Sequence, residues 1–227
     1  AIYKIDTSTS PYPLTAQTFS GSAQTISDAN WTWVNFNDEL WGIQTGHKVI
    51  NYNGTAWYDI DDITSTYAAP AGVTTFDPSC GLGDFGRMWY GGITEAPGVV
   101  YYSDSLIGEK LNGGTAGVID LKTVWGNDEV VGLASIMDKL VIFGKQNIAI
   151  YAGADNVSSM SLEEIIKGTG LAGKDNIAYV GTDILFLSYE GLMSLGRLQQ
   201  TDGKAPIQDL SVTVRNDLVG ILSSATV

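Results

Sequence analysis

The sequence predicts an all-β fold, a β-propeller or part of one built from about four hairpin-based blades with short helical insertions, and three observations carry that prediction. Residues 182–197 contain an apolar run, Asp183 to Ser188, a short turn, Tyr189-Glu190-Gly191, and a second run, Leu192 to Arg197, which is the pattern of a β-hairpin. Three earlier stretches repeat it: Glu39-Leu-Trp-Gly-Ile with Lys48-Val-Ile-Asn-Tyr, Arg87-Met-Trp-Tyr-Gly with Gly98-Val-Val-Tyr-Tyr, and Lys139-Leu-Val-Ile-Phe-Gly with Asn147-Ile-Ala-Ile-Tyr. With Trp41, Trp89, Val141 and Leu185 taken as equivalent inner positions, the steps are 48, 52 and 44 residues, the period of a propeller blade made of short strands. The composition agrees: 44% apolar residues with 27 glycines, 6 tryptophans and 11 tyrosines suit short aromatic strands between tight turns rather than a helical bundle.

Taken in order, Ala1 to Asp6 reads as a strand like the second half of a repeat, because Ile2-Tyr3 sits as Ile150-Tyr151 does, so the chain reads as beginning inside a blade. Residues 7–30, rich in Ser, Thr, Pro and Ala with Pro11-Tyr-Pro13, are a connection carrying one outer strand near Thr15 to Phe19. Trp31 to Phe36, Leu40 to Ile43, Val49 to Tyr52 and Trp57 to Ile60, joined by turns at Asn37-Asp38, Gly46 and Asn53-Gly54, make a complete first blade. A polar crossing over 61–84 leads to the second hairpin, whose loop 91–98 is long enough to project; 108–117 is a second flexible segment. Glu129 to Ser135, Lys139 to Phe143 and Ile148 to Tyr151 form the third blade. Ser161-Leu-Glu-Glu164 is a capping box followed by Ile165, Ile166 and Gly168, so 161–168 is expected to be a short helical insertion. Ala172 to Val180 and the hairpin at 183–197 make the fourth unit, and the spacing of Leu210, Val214, Leu218 and Leu222 makes 206–227 a helical or linking segment. Residues 1–227 are thus one propeller-like domain or a portion of a larger protein.

Charge and motifs narrow the function. The 25 acidic residues against 12 basic ones leave a net charge of −13, which argues against gripping nucleic acid by phosphate neutralisation but not against an acidic wall along which a duplex slides. Cys80 is the single cysteine, so no internal disulfide forms, and it reads as a small apolar filler. Apolar stretches fall short of the length needed to cross a bilayer, so no membrane insertion is expected.

Gly81-Leu-Gly83-Asp-Phe-Gly86 matches the dinucleotide pattern, yet Arg87-Met-Trp-Tyr after it reads as a strand, where pyrophosphate binding requires a helix N-terminus. Gly168 to Lys174 has phosphate-loop spacing, but Asp175 stands where a magnesium-binding hydroxyl belongs. His47, the only histidine, reads as a turn residue, with no second histidine for a metal pair and no nucleophile elbow to serve. Asp59, Asp61 and Asp62 read as a solvated strand end rather than a calcium loop, lacking its glycine and distal glutamate. Asn30, Asn53 and Asn156 open glycosylation patterns that matter only in a secretory context. Trp41, Trp89, Trp125, Phe143 and Phe186 read as packing between blades, while Trp57-Tyr58 and Tyr101-Tyr102 each set one ring on the outside. No catalytic, cofactor-binding or metal-ligating residue is therefore assigned, and the chain is read as not an enzyme.

Three segments carry a family resemblance. Arg87-Met-Trp-Tyr-Gly-Gly with Val100-Tyr-Tyr-Ser-Asp-Ser-Leu, then residues 131–151 from Val131-Gly-Leu-Ala-Ser to Ile148-Ala-Ile-Tyr, then Asp183-Ile-Leu-Phe-Leu-Ser-Tyr-Glu-Gly-Leu-Met-Ser-Leu resemble the tail nozzle proteins, or tail tubular protein B, of short-tailed bacteriophages over roughly 31–222. The resemblance implies a propeller-bearing virion structural protein in the phage tail, present as a homohexameric ring below the portal and adaptor, with tail adaptor and tail fibre proteins as partners. Double-stranded DNA would pass through it during genome ejection without specific binding. Such proteins are longer than 227 residues, so the chain is expected to be a short member or a portion of one. Loops 91–98 and 108–117 would then pack between subunits, and Lys48, Lys110, Lys139 and Lys145 are expected to stay off the channel wall. The alternative is a carbohydrate-binding or polysaccharide-degrading β-propeller, in which paired carboxylates and exposed aromatic rings converge at one end of the axis.

Overall fold

The computed structural model describes residues 2–8, 10–21, 26, 30–63, 67–200 and 215–224. Strands β1 (Tyr3–Ile5) and β2 (Leu14–Ala16) pair only with each other, with all six residues exposed, so the opening strand starts its own hairpin instead of finishing a repeat. Next come β3 (Thr32–Phe36), β4 (Glu39–Ile43), β5 (Ile50–Tyr52) and β6 (Trp57–Asp59), an antiparallel sheet in sequence order. A second such sheet comprises β7 (Cys80–Asp84), β8 (Arg87–Gly91), β9 (Val99–Tyr102) and β10 (Gly117–Asp120). A short helix, α1 (Lys122–Trp125), leads to the third sheet, β11 (Val130–Ile136), β12 (Lys139–Gly144), β13 (Asn147–Ala152) and β14 (Ser161–Lys167). The fourth has three strands, β15 (Ile177–Val180), β16 (Asp183–Ser188) and β17 (Gly191–Ser194), followed by α2 (Leu195–Gln200) and α3 (Arg215–Ser224). The fold is all-β, assembled from small antiparallel sheets with few helical residues.

In each of the four larger sheets the first two strands are joined by a two-residue turn: Asn37-Asp38, Phe85-Gly86, Met137-Asp138 and Gly181-Thr182. Asn37, Asp38, Phe85, Gly86, Met137 and Gly181 all have positive φ, the backbone twist that tight hairpins favour. Because each turn has two residues, the registers are the same: Val34 faces Trp41, Leu82 faces Trp89, Ala134 faces Val141 and Ala178 faces Leu185, each the third pair from its turn. The four residues taken as equivalent in sequence therefore occupy equivalent ladder positions.

Alternation along the strands then decides what each side chain meets. In β8, Met88 and Tyr90 join the cluster containing Trp41 and Ile43 of the first sheet, whereas Trp89 joins the cluster containing Leu133, Leu140 and Ile142 of the third. In β12, Leu140 and Ile142 face back to the second sheet, while Val141 and Phe143 meet Ile184 and Phe186 of the fourth. The middle sheets are thus buried on both faces, which is why Arg87 to Gly91 reads as a continuous run and every residue in it is buried. Trp41, Trp89 and Val141 are fully buried against the following sheet, but Leu185 is only half-buried, since no described sheet follows. At that end α3 lies against β17. At the other, the outer face of the first sheet is covered by rings: Trp33 and Tyr52 lie 6.0 and 5.0 Å from Trp57, and Phe19 lies 6.4 Å from it.

Two further expectations need correction. Residues 161–167 form strand β14, not a helix. A seven-residue helix is marginal on its own, whereas the free edge of β13 offers a full ladder from Asn147↔Lys167 to Ala152↔Ser161 and buries Ile166 in the third cluster. A bulge at Glu163 absorbs the irregular spacing that imitates a helical face. The run Leu192 to Arg197 also divides, with β17 ending at Ser194 and α2 beginning at Leu195. The Ser194 hydroxyl accepts the Arg197 N–H at 3.2 Å, as an N-cap does, and this cap signal overrides the hairpin pattern. Helix α2 sets Leu195 and Leu198 into the third cluster, and Gln199 reaches Glu164 of β14 at 3.0 Å. Of the C-terminal segment 206–227, Arg215–Ser224 is helical as the spacing predicts, and Leu210 and Val214 lie outside the described residues.

Close approach of the inner strands depends on glycine. A Cβ on Gly83 would stand 2.8 Å from Val34 Cγ1, 3.2 Å from Phe36 Cβ and 3.3 Å from the Asn35 carbonyl oxygen of β3. Val34 is stiff at χ1 and the other two atoms are part of, or next to, the backbone, so the strands must separate to make room. Gly83→Ala is expected to lower unfolding free energy by roughly 1–3 kcal/mol, read from the urea midpoint. Electrostatics adds a second expectation. Burial raises the pKa of Glu39 above its ordinary 4.5, the Asn51 amide at 3.0 Å opposes the shift, and the nearby Glu109 carboxylate adds to it. A carboxylate with a raised folded pKa binds its proton more tightly in the native state, so its ionisation costs stability at neutral pH and that cost disappears as pH falls below the unfolded value. Glu39→Gln keeps an oxygen for Asn51; its melting temperature should exceed the parent's at pH 7, with the gap closing below pH 4.5.

Candidate functional site

The first strands of all four sheets converge on one cavity. It encloses about 350 Å³ and is lined by Trp33 and Asn35 of β3, Leu82 of β7, Leu133 of β11 and Tyr179 of β15, among others. A second cavity, of about 450 Å³, opens at the end where these strands begin. Its walls are Ile93 and Pro97 of the β8–β9 loop with Val130 and Val131 of β11, and its charged groups are Glu129, Lys145 and Lys174. The loops joining the second and third strands therefore cluster at this end, and the two-residue turns lie at the other.

Lys174 stands between the two cavities and lines both. Its ammonium donates to the Asn30 carbonyl at 3.0 Å and to Gln44 Oε1 at 3.1 Å, tying the segment before β15 to the first sheet. The glycines with phosphate-loop spacing serve this link, as the sequence reading favours: Leu171 N–H donates to the Gly144 carbonyl at 2.9 Å, and a Cβ on Gly170 would lie 2.3 Å from the Lys145 carbonyl carbon. No helix follows Lys174; the next element is β15. The other glycine motif fails on the same ground, since Gly81 and Gly83 lie within strand β7 and a hairpin turn comes after them.

Two carboxylates, neither predicted as functional, shape the loop end. Asp128, just before β11, accepts the backbone N–H of Lys145 and Gln146 at 3.0 Å each and the Asn147 amide at 2.8 Å, so it fixes the turn between β12 and β13. Asp77, just before β7, accepts the Thr94 N–H at 3.2 Å and its hydroxyl at 2.6 Å, fixing the β8–β9 loop in the same manner. Their common sequence signal is an aspartate two or three residues ahead of a sheet's first strand. It is hidden in sequence because an aspartate ahead of a strand reads like any solvated loop residue.

The residues singled out in sequence are dispersed. His47 packs its ring 5.3 Å from that of Trp31 in the turn after β4. Cys80 is buried, and burial pushes its thiol up to about 12, leaving it protonated and unreactive. Asp61 is paired with Lys48, while Asp59 is buried at the end of β6. No group of three or more His, Cys, Asp or Glu residues arranged to hold a metal ion occurs among the described residues. Trp41, Trp89, Trp125, Phe143 and Phe186 are all buried in or beside the three clusters. Of the pairs Trp57-Tyr58 and Tyr101-Tyr102, each expected to set one ring outside, Trp57 and Tyr101 are buried while Tyr58 and Tyr102 are half-buried: the Tyr102 ring lies 5.1 Å from Trp89, with the Arg87 guanidinium 5.9 Å from its centre. The four lysines expected off the axis each hold a carboxylate partner: Lys48 with Asp61, Lys110 with Asp104, Lys139 with Glu163 and Lys145 with Glu129. Of these, Lys145 lines the loop-end cavity. Among the described residues no helix is long and apolar enough to cross a membrane.

Asp128→Ala would remove the acceptor from four donors, the N–H groups of Glu129, Lys145 and Gln146 and the Asn147 amide. It is expected to cost about 1–3 kcal/mol and to raise amide exchange at Lys145 and Gln146 while the β11–β12 ladder stays protected.

No protein family and no curated protein matches the chain. Among solved structures, the computationally designed Ika8 protein aligns with 12% identity and a TM-score of 0.40, over 73% of this chain and 45% of that one. The extracellular domain of a B. thetaiotaomicron protein described as a hybrid two-component system aligns with 11% identity and a TM-score of 0.28, over 86% of this chain and 34% of that one. The chain thus spans less than half the length of either structure, and likenesses this distant carry no argument about function.

Proposed function

We propose that the chain is a structural component of a short phage tail, in which copies form a ring, or nozzle, around the channel for genome ejection. In this reading the four sheets are blades of a β-propeller or part of one. The observation that carries it is repetition: four consecutive meanders share one hairpin register, and their first strands line a common cavity. The segments resembling tail nozzle proteins coincide with three of the four repeats, and the net charge of −13 suits a wall that does not retain DNA. Asp77, Asp128 and Lys174 at the loop end bond to backbone and side-chain partners of neighbouring loops, which supports a structural role. Its partners would be further copies, the tail adaptor and tail fibre proteins, and passing double-stranded DNA.

A second reading, a carbohydrate-binding propeller, draws on Trp33, which is 47% exposed, lines the axial cavity and stacks at 5.9 Å on Trp31. One pair of experiments separates the two. Antibodies against the purified chain should decorate the tails of phage particles in electron micrographs, and the reconstructed tail should hold a ring of copies. Particles without the chain would refute the tail reading, and saturable quenching of tryptophan fluorescence by capsular polysaccharide, lost in Trp33→Ala, would replace it with the second.

A further inference from the structure

Much of the polar lining of the axial cavity is main chain. Where a two-residue turn joins the first two strands, the pair that closes it exchanges its backbone bonds across the ladder, and successive residues of the first strand then bond alternately toward their partner and away from it. Asp84 and Leu82 bond to β8, so the N–H and C=O of Gly83 and Gly81 point the other way, toward the axis. By the same count Trp33 and Asn35 of β3 and Leu133 of β11 turn their main chain to the axis. The Ser135 N–H shows this direction directly, since it crosses from β11 to the Tyr179 hydroxyl of β15 at 3.2 Å. Donors and acceptors therefore meet the cavity from several strands, and at Gly81 and Gly83 no side chain shields them.

The same cavity holds a fixed aromatic face. The exposed Trp33 ring lies 25° from parallel to Trp31 and edge-on to Trp57 at 6.0 Å, and a Cβ on Gly42 would stand 2.6 Å from its Cζ3, so the ring rests on the sheet only because glycine is beneath it. Such a ring is set before a ligand arrives, which lowers the ordering cost of binding. An entirely apolar ligand would leave the main-chain groups unpaired. Ionic recognition has nothing to use, because Lys174 is the only charge among the described lining residues and already donates to Asn30 and Gln44. We propose that the axial cavity binds one uncharged sugar ring of an oligosaccharide, its C–H face on Trp33 and its hydroxyls on the main chain of Gly81 and Gly83, without cleaving it. A hydroxyl both donates and accepts, so it can meet either an N–H or a C=O, and about 350 Å³ suits a small ligand. Cleavage needs two carboxylates flanking the scissile bond, and among the described residues none lines this cavity. The proposal rests on the carbohydrate reading and gives it a ligand class; the tail reading can stand or fall without it.

Isothermal titration calorimetry of the full chain tests this with neutral tetrasaccharides of glucose, galactose and mannose, and with tetragalacturonate and adenosine as the charged and the planar alternatives. At least one neutral tetrasaccharide should bind saturably and be recovered uncut after prolonged incubation. Trp33→Ala should weaken that binding about tenfold or more. Trp33→Phe, which keeps a ring over Gly42, should recover part of the loss, so a fold defect in the alanine variant cannot stand in for a lost contact. Binding of tetragalacturonate alone, or release of shorter sugars, would overturn the proposal and leave the carbohydrate reading standing, whereas a chain that binds none of the sugars would end both. Binding of adenosine in place of sugar, or neutral-sugar affinity unchanged in Trp33→Ala, would overturn it as well.

Discussion

Everything in this fold depends on the stacking of the four larger sheets, the middle two of which are covered on both faces. Strands of three to seven residues expose too little surface for a sheet to stand alone, so stability comes from stacking. The three buried clusters lie one between each successive pair of sheets, and alternation along β8 and β12 sends neighbouring residues to different clusters. Shifting a hairpin by one residue would exchange those destinations and put Trp89 where Tyr90 belongs, so the two-residue turns that fix the register are as important as the core itself. Glycine at the inner strands completes the constraint, because stacking with a shared cavity requires backbones to approach more closely than a Cβ allows.

This dependence explains how much of the fold could be read from the chain. The hairpin pattern, the first sheet and the equivalence of Trp41, Trp89, Val141 and Leu185 were legible because they rest on local alternation and turn chemistry. Strand β14 was not legible: Ser161-Leu-Glu-Glu and two isoleucines satisfy a helix cap and a helix face locally, and only the waiting edge of β13 decides otherwise. Strand β7 was hidden differently, since its glycines imitate a nucleotide motif although they serve close strand packing. The fourth sheet lacks a fourth described strand because Ser194 caps a helix, a signal one residue long inside a pattern that favoured continuation.

The candidate site was less legible than the fold. Lys174 links elements 144 residues apart in sequence, so no window reveals it. Asp77 and Asp128 act on backbone amides, which have no identity in a sequence, and a carboxylate before a strand looks like any solvated loop residue. Such contacts become visible only when the loops they hold are placed. The ion pairs of Lys48, Lys110, Lys139 and Lys145 are likewise products of topology, joining strands or loops that the alternation pattern leaves unassigned.

These contacts also divide the acidic excess into two populations. Asp104 accepts Lys110 at 2.7 Å, the Thr115 hydroxyl at 2.6 Å and two backbone amides, and its carboxyl is held far below the ordinary 3.8 by those bonds, the lysine first. For Asp183, burial acts upward, but bonds from Ser194, Gly196 and Ile184 prevail and lower it. A depressed carboxylate contributes stability that is present above its unfolded pKa and lost as pH falls through the folded one, opposite in sign to Glu39. Such groups are engaged in holding loops and contribute little to a repelling wall, because their charge is matched by donors at hydrogen-bonding distance. Any acidic field belongs instead to exposed carboxylates such as Asp38, Asp138 and Asp155. Asp38 and Asp138 occupy the hairpin turns, whereas Asp155 and the also exposed Asp175 lie elsewhere, so the field extends over more than one face and acts at long range on whatever approaches.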